Sequence, residues 1–311
     1  MKRVLLTGAT GFIGRHSVPA LVAAGFEVHA VSSTPQRPAA GISQWHQADL
    51  LIPGAANRLV DAAAPSHILH LAWCATPGAF WTSPLNLPWV QASIGLLRAF
   101  AEHDGQRFVG AGSCAEYQIT DADCDERVTP LRPSTLYGSA KHAFHSVLEG
   151  FAPGRLSAAW GRVFHLYGPS EHPDRLVPSV IRSLLSGREA HCTAGTQIRD
   201  FLHVQDVADA FVSMLGSNVD GAVNIASGEP VAVGSVVTRI GHALAAEPLI
   251  RLGARPMPSQ DPPRLTANVA RLRDEVGWRP ALTLDRGLAD TIAWWRSEQA
   301  RVGRSTAGRG A

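Results

Sequence analysis

The chain has 311 residues, 45% of them hydrophobic and 17% charged, with a formal net charge of +2. That length suits one large or two modest domains with a real core, and the near-neutral balance, with no compact Lys/Arg block, argues against a nucleic-acid partner. No apolar run reaches the length of a membrane helix. The four cysteines, Cys74, Cys114, Cys124 and Cys192, form no C-x-x-C pair, so no metal site is expected and a cytoplasmic chain with free thiols is.

Val4 to Leu6 reads as a buried first strand. The basic and apolar start could pass for a signal peptide, but glycines break it too early. TGATGFIG, Thr7 to Gly14, then supplies a tight turn and the opening of a helix. Gly8 turns the chain off the strand, Gly11 leaves room for a pyrophosphate, and Gly14 lets the helix pack closely. Phe26 to Val31 is the second strand. NAD-binding folds usually carry an acid at its end. Ser32 and Ser33 stand there, with Arg37 shortly after. Two hydroxyls and an arginine suit a 2′-phosphate, which favours NADP with NAD as the alternative, unless Arg37 points into solvent from its Pro-rich loop.

Trp45 to Leu50 reads as a third strand ending in Asp49, which either accepts from an adenine amino group or caps a helix. A helix over 58–63 and an apolar strand, His67 to Ala72, follow. Trp73 to Val90 reads as a long aromatic loop whose Trp73, Phe80, Trp81 and Trp89 either wall the ligand crevice or only pack the loop down. Further expectations are a helix over 92–103, a strand over 107–111 delivering Ser113, a helix over 134–149 and a strand over 156–164. Alternation of this kind implies an α/β chain with a doubly wound parallel sheet. Beyond Tyr167 the texture becomes smaller mixed α/β. Arg199 to Met214 starts irregular and turns helical near Val204, and a helix ends near Arg296. The expected division is a Rossmann dinucleotide-binding domain over 1–168 with returning segments at about 200–228, a C-terminal substrate domain over 169–300, and a disordered tail over 301–311.

Tyr137 and Lys141 stand at i and i+4, on one face of their helix. The ammonium favours tyrosinate and can bond ribose hydroxyls. A tyrosine so tuned passes a proton to or from a sugar oxygen, and Ser113 can donate to the same oxygen. The three together suit hydride exchange between a nicotinamide and an alcohol or ketone carbon.

These pieces in order resemble the extended short-chain dehydrogenase/reductase family, in its branch of nucleotide-sugar epimerases, dehydratases and 4-ketoreductases. The likeness is carried by TGATGFIG, ADL at 48–50, HLA at 70–72, Ser113 with YGSAK at 137–141, GRVFHLYGP at 161–169, RDFLHVQDVADAF at 199–211, VNIASGEP at 223–230 and VGWRPALTLDRGL at 276–288. It implies that Ser113, Tyr137 and Lys141 are catalytic. It also implies that Gly8, Gly11, Phe12, Ile13, Gly14, Asp49, Leu50, Leu71, Ala72 and Phe164 join Ser32, Ser33 and Arg37 around the cofactor, although Phe164 could be pure core. Thr76, Ser113, Cys114, His165, Arg199 and Asp261 would meet a nucleotide-diphosphate sugar. Arg199 could instead pair with Asp200 or Asp206. A homodimer through the helices over 92–103 and 134–149 is implied too.

Three departures from the pattern matter. The dehydratase Asp-Glu pair is replaced by Cys114 and Ala115, with Glu116 one residue off, which argues against 4,6-dehydration; Cys114 reads as a functional thiol or a small buried side chain. His165 replaces a family Asn and could touch substrate, relay protons near neutral pH or be structural. Pro258 stands where a diphosphate arginine is common, leaving Arg255 or Arg264 as substitutes. The expected activity is NADPH-dependent reduction of a nucleotide-diphosphate keto-sugar, with C4 as the expected position. The alternatives are an NAD-dependent 4-epimerase and a non-catalytic cofactor sensor.

Overall fold

The computed structural model describes residues 2–259 and 261–307, the side chains of 302–307 excepted. In chain order the first half runs β1 (Lys2–Thr7), α1 (Phe12–Ala23), β2 (Phe26–Ser32), β3 (Gln44–Gln47), α2 (Ala55–Ala63), β4 (His67–His70), α3 (Asn86–Glu102), β5 (Arg107–Ser113) and α4 (Leu136–Phe151). The second half runs β6 (Ser157–Val163), β7 (His165–Tyr167), α5 (Leu176–Leu185), β8 (Ala190–His191), β9 (Ile198–His203), α6 (Val204–Gly216), β10 (Gly221–Ile225), β11 (Pro230–Ala232), α7 (Val233–Leu244), β12 (Ile250–Arg251), β13 (Arg264–Leu265) and α8 (Leu284–Ala307).

Seven strands form one parallel sheet in the order β10-β6-β5-β4-β1-β2-β3. β4 and β5 are buried along their whole length, as strands covered on both faces must be. One face is covered by α1 and α6, whose Val18, Leu21, Val207 and Phe211 pack on Val4, Leu6 and Val28. The other is covered by α2, α3 and α4, through Leu59, Leu96, Phe100 and Phe144. Strand order reverses between β1 and β4, and there the crevice at the C-terminal edge opens. This is the Rossmann-type sheet expected.

A separate core gathers α5, α7 and α8 around Val180, Ile181, Val236, Ile240 and Ile292. Its sheet centres on β9, parallel to β7 and β13 and antiparallel to β11. β9 corrects the expectation of an irregular start at Arg199. Its Arg199 and Asp200 make the segment read as polar, yet both are buried. Asp200 accepts from Ser227 N and Oγ and from Gly228 N, so the partners that let it sit in a strand come from far along the chain.

Two further boundaries move. α3 begins at Asn86, so the last turn of the supposed aromatic loop is helix. α8 continues to Ala307, which places 301–307 in helix where a tail is expected; residues 308–311 lie outside the described residues. No helix among the described residues is long and apolar enough to cross a membrane.

Candidate active site

A cavity of about 1190 Å³ runs along the C-terminal edge of the sheet and under the second core. Gly8, at φ +70, turns the chain off β1 at its rim. A Cβ on Gly14 would stand 2.1 Å from the Gly8 carbonyl, so only glycine lets α1 start this close to the turn. α1 begins after Gly11 with no side-chain cap, and Gly11, Phe12, Ile13 and Gly14 line the cavity. Uncapped N–H groups at a helix start are what an anionic pyrophosphate needs. Ser32, Ser33, Asp49, Leu50, Leu71 and Ala72 line the same end. These residues fit a dinucleotide, and a dinucleotide of this kind supplies a hydride donor or acceptor when bound. Asp49 also accepts from Leu51 N at 3.0 Å, so it serves a local turn while facing the cavity.

Arg37 is exposed and is not among the residues that line this cavity. The Ser32 hydroxyl is engaged by Thr34 N and by the Gln36 side chain. Thr76 is exposed and outside the cavity lining; its carbonyl accepts from Ala79 N and Phe80 N.

Ser113 ends β5 and caps a short 3-10 turn, Cys114–Glu116. Its hydroxyl accepts from Ala115 N, and Glu116 reaches back to the Ser113 N–H at 2.8 Å. Glu116 is fully buried, pairs with Arg162 Nε at 3.0 Å and accepts from Trp160 Nε1 at 2.9 Å. It is thereby committed to holding the turn. Ligand atoms of Glu116, His142 and His145 lie within 4.8 Å of one another, but the Arg162 guanidinium already neutralises the carboxylate.

α4 is capped by Thr135, whose hydroxyl accepts from Gly138 N. A Cβ on Gly138 would stand 2.3 Å from the Ala115 carbonyl. This glycine therefore lets the start of α4 touch the Ser113 turn, and the Ser113 hydroxyl comes within hydrogen-bonding reach of Tyr137. Burial pushes the Tyr137 hydroxyl above its ordinary range, with Ser113 drawing it back. The Lys141 ammonium donates to the Ala111 carbonyl at 2.8 Å and lies 3.8 Å above the Trp73 ring. Burial pulls Lys141 down to about 7, against Glu116 and Cys74. In this state Lys141 is held by β5 and Trp73, with its ammonium 5.9 Å from the centroid of the Tyr137 ring.

The aromatic stretch is a wall. Trp73, Phe80, Trp81 and Trp89 all line the cavity. Phe80 and Trp81 meet the Tyr137 ring edge-on, with centroids 4.8 and 5.7 Å away. Asn86 staples the segment: it accepts from Trp73 Nε1 at 2.9 Å and donates to the carbonyls of Phe80 and Ser83. Asn86, and Glu116 as the residue that holds the Ser113 turn, build the site through partners that their own positions in the sequence do not signal.

At the other end, Arg199 is buried and binds Asp261 Oδ1 at 2.5 Å. Its alternative partners are taken, Asp200 as above and Asp206 by Ala281 N and Leu282 N. Arg255 lines the cavity, whereas Arg264 is paired with Asp123 at 2.7 Å outside it. Phe164 lines the cavity and also packs on Tyr117, so both readings of it hold. Burial pushes the Cys114 thiol up to about 12, which makes it a protonated, small wall residue. His165 lines the cavity, its Nδ1 without a partner among the described residues; burial, then Arg199 and Arg175, push it down to about 3. It is thus a neutral hydrogen-bonding group and not a relay near pH 7.

The sequence profile of the NAD dependent epimerase/dehydratase family matches residues 4–226, which hold the glycine turn, Ser113, Tyr137 and Lys141. The chain belongs to this family. Its homologues are NAD(P)-dependent epimerases, dehydratases and reductases of the extended short-chain dehydrogenase/reductase type that act on nucleotide sugars, and the chain is an enzyme of that type. MoeE5, solved in complex with UDP-glucuronic acid and NAD, is 31% identical, with a TM-score of 0.81 over 95% of this chain and 99% of that one. The UDP-glucose 4-epimerase of Thermus thermophilus, in complex with NAD, is 26% identical with a TM-score of 0.83 over 94% and 99%. The GDP-6-deoxy-D-mannose reductase of Pseudomonas aeruginosa is 27% identical over 95% of this chain and 98% of that protein.

Proposed function

We propose that this family member reduces a keto group at C4 of a nucleoside-diphosphate sugar with NADPH. The observation that carries the reading is the set of polar groups beside Tyr137. Ser113 and Lys141 are present, while the positions that would hold elimination acids are Cys114 and Ala115, and Glu116 is locked on Arg162 and Trp160. What remains is a proton donor for an alkoxide and no partner for dehydration. Ser113 orients the sugar oxygen, Tyr137 delivers the proton, and Lys141 has an ammonium to offer ribose hydroxyls once it leaves Ala111 O. Arg199, with Arg255, meets the diphosphate, displacing Asp261 from its present partner. Ser32 and Ser33, at the end of β2 where an acid would mark NAD, favour the 2′-phosphate of NADPH, without help from Arg37.

A second reading is a 4-epimerase with retained NAD, favoured by the NAD and UDP-glucuronic acid held by MoeE5 at 31% identity. The deciding experiment extracts nucleotide from purified protein and assays a panel of nucleotide sugars and their 4-keto forms. NADPH-dependent loss of the ketone, at least ~100-fold slower in Tyr137→Phe, is expected. Stoichiometric bound NAD with epimerisation of UDP-glucose or UDP-glucuronic acid, no cofactor added, would replace this reading with the second.

A further inference from the structure

The loop from Gly168 to Arg175 joins β7 to α5 and lies against the cavity. Ser170 stands at φ +69, in the left-handed region that favours glycine, and Glu171 N bonds back to the Gly168 carbonyl. Backbone held in this way persists only where the surroundings determine it. The turn sends Glu171 inward: the residue is 8% exposed, lines the cavity, and its Oε2 has no hydrogen-bond partner among the described residues. A buried carboxyl oxygen left unmatched calls for a ligand or a water in its place.

Its neighbours say which ligand. Arg175 stacks on Phe80 at 5.3 Å, and Phe80 in turn meets the Tyr137 ring. The charge of Arg175 reaches both Glu171 and His165. Among the described residues, His165 Nδ1 is a second buried and unpaired polar atom, and His165 lines the same cavity. Two unmatched groups in the cavity that Tyr137 also lines suit a polyhydroxylated ring, each hydroxyl of which both donates and accepts.

We propose that Glu171 is a specificity-determining residue whose unpaired Oε2 hydrogen-bonds a ring hydroxyl of the sugar, alongside His165. The proposal rests on the nucleotide-sugar reading above and adds the group that recognises the sugar apart from the nucleotide. Burial raises the Glu171 carboxyl to about 8, against Arg175 and the Gly168 N–H. At neutral pH it therefore carries a proton and can donate as well as accept.

Calorimetric titration of the NAD(P)-loaded protein tests this with UDP-, dTDP- and GDP-glucose, each beside its parent nucleoside diphosphate. For the tightest pair, Glu171→Leu weakens the sugar nucleotide by about five- to tenfold and leaves the diphosphate within about twofold, while Glu171→Gln restores the sugar increment. Glu171→Met takes the place of the leucine variant should that one fail to fold. Unchanged binding of the sugar nucleotide in the leucine variant overturns the proposal alone. So does equal loss for the diphosphate, which would make Glu171 a structural residue. Should the wild-type protein bind no member of the panel, the nucleotide-sugar reading falls and this proposal with it.

Discussion

Lys141 pairs a functional position with a cost in stability. Its ammonium has one carbonyl, one indole face and almost no solvent around it. Because burial lowers it from 10.5 to about 7, the folded chain releases this proton in a range where the unfolded chain still holds it. Between pH 7 and 10 the unfolded state binds more protons, so this group makes stability rise with pH across that window. Lys141→Met removes the titration while keeping most of the volume. The variant is expected to gain Tm over wild type at pH 6, by the equivalent of a few kcal/mol, and the gain should shrink steadily toward pH 10. Melting curves at several pH values check this; parallel Tm profiles from pH 7 to 10 would contradict it. Glu171, raised by burial, titrates with the opposite sign in both proteins and cancels in the difference.

At the scale of the element, the site depends on two close fits. One is α4 against the Ser113 turn, where Gly138 has no room for a Cβ. The other is the aromatic segment that leads into α3. Asn86 is fully buried and fills three of its bonds with Trp73, Phe80 and Ser83. Asn86→Ala leaves the Phe80 carbonyl and the Trp73 indole N–H without partners, while the Ser83 carbonyl keeps the backbone N–H of residue 86, at a cost of roughly 2–4 kcal/mol. The same change frees the rings that border Tyr137. Urea unfolding should register the lost stability, and a KM that rises by more than kcat falls would reflect a loosened wall. A variant with wild-type stability would mean that water replaces all three bonds.

At the scale of the molecule, α3 and α4 lie side by side on one face of the sheet. Leu87 on α3 is 58% exposed and Val147 on α4 is 38% exposed, apolar groups left uncovered in a single chain. We infer a homodimer across these helices. Light scattering after size exclusion should give about twice the 33.1 kDa chain mass, and Val147→Asp together with Leu87→Asp should bring it to one. A wild-type monomer at micromolar concentration would rule the arrangement out. Cofactor choice also belongs to this scale. With Arg37 outside the cavity, Arg37→Ala should leave the ratio of NADP to NAD affinity within about twofold.

The local signals determined the sheet and its glycine turn. Val4 to Leu6 is apolar because β1 is covered on both faces, and Gly8, Gly11 and Gly14 repeat at a spacing that only a strand-turn-helix can use. Tyr137 and Lys141 were legible because i, i+4 is a property of one helix. Their electrostatics were not, because what surrounds Lys141 is Ala111 and Trp73, brought in by other elements. β9 is hidden in the sequence for the same reason: its charges read as surface until Ser227, Gly228 and Asp261 are beside them. Arg37 reads as a phosphate ligand by proximity along the chain, whereas in the fold it is exposed and outside the cavity lining. Sequence proximity reports what a side chain is; burial and partners, which folding alone supplies, decide its charge and what it can touch.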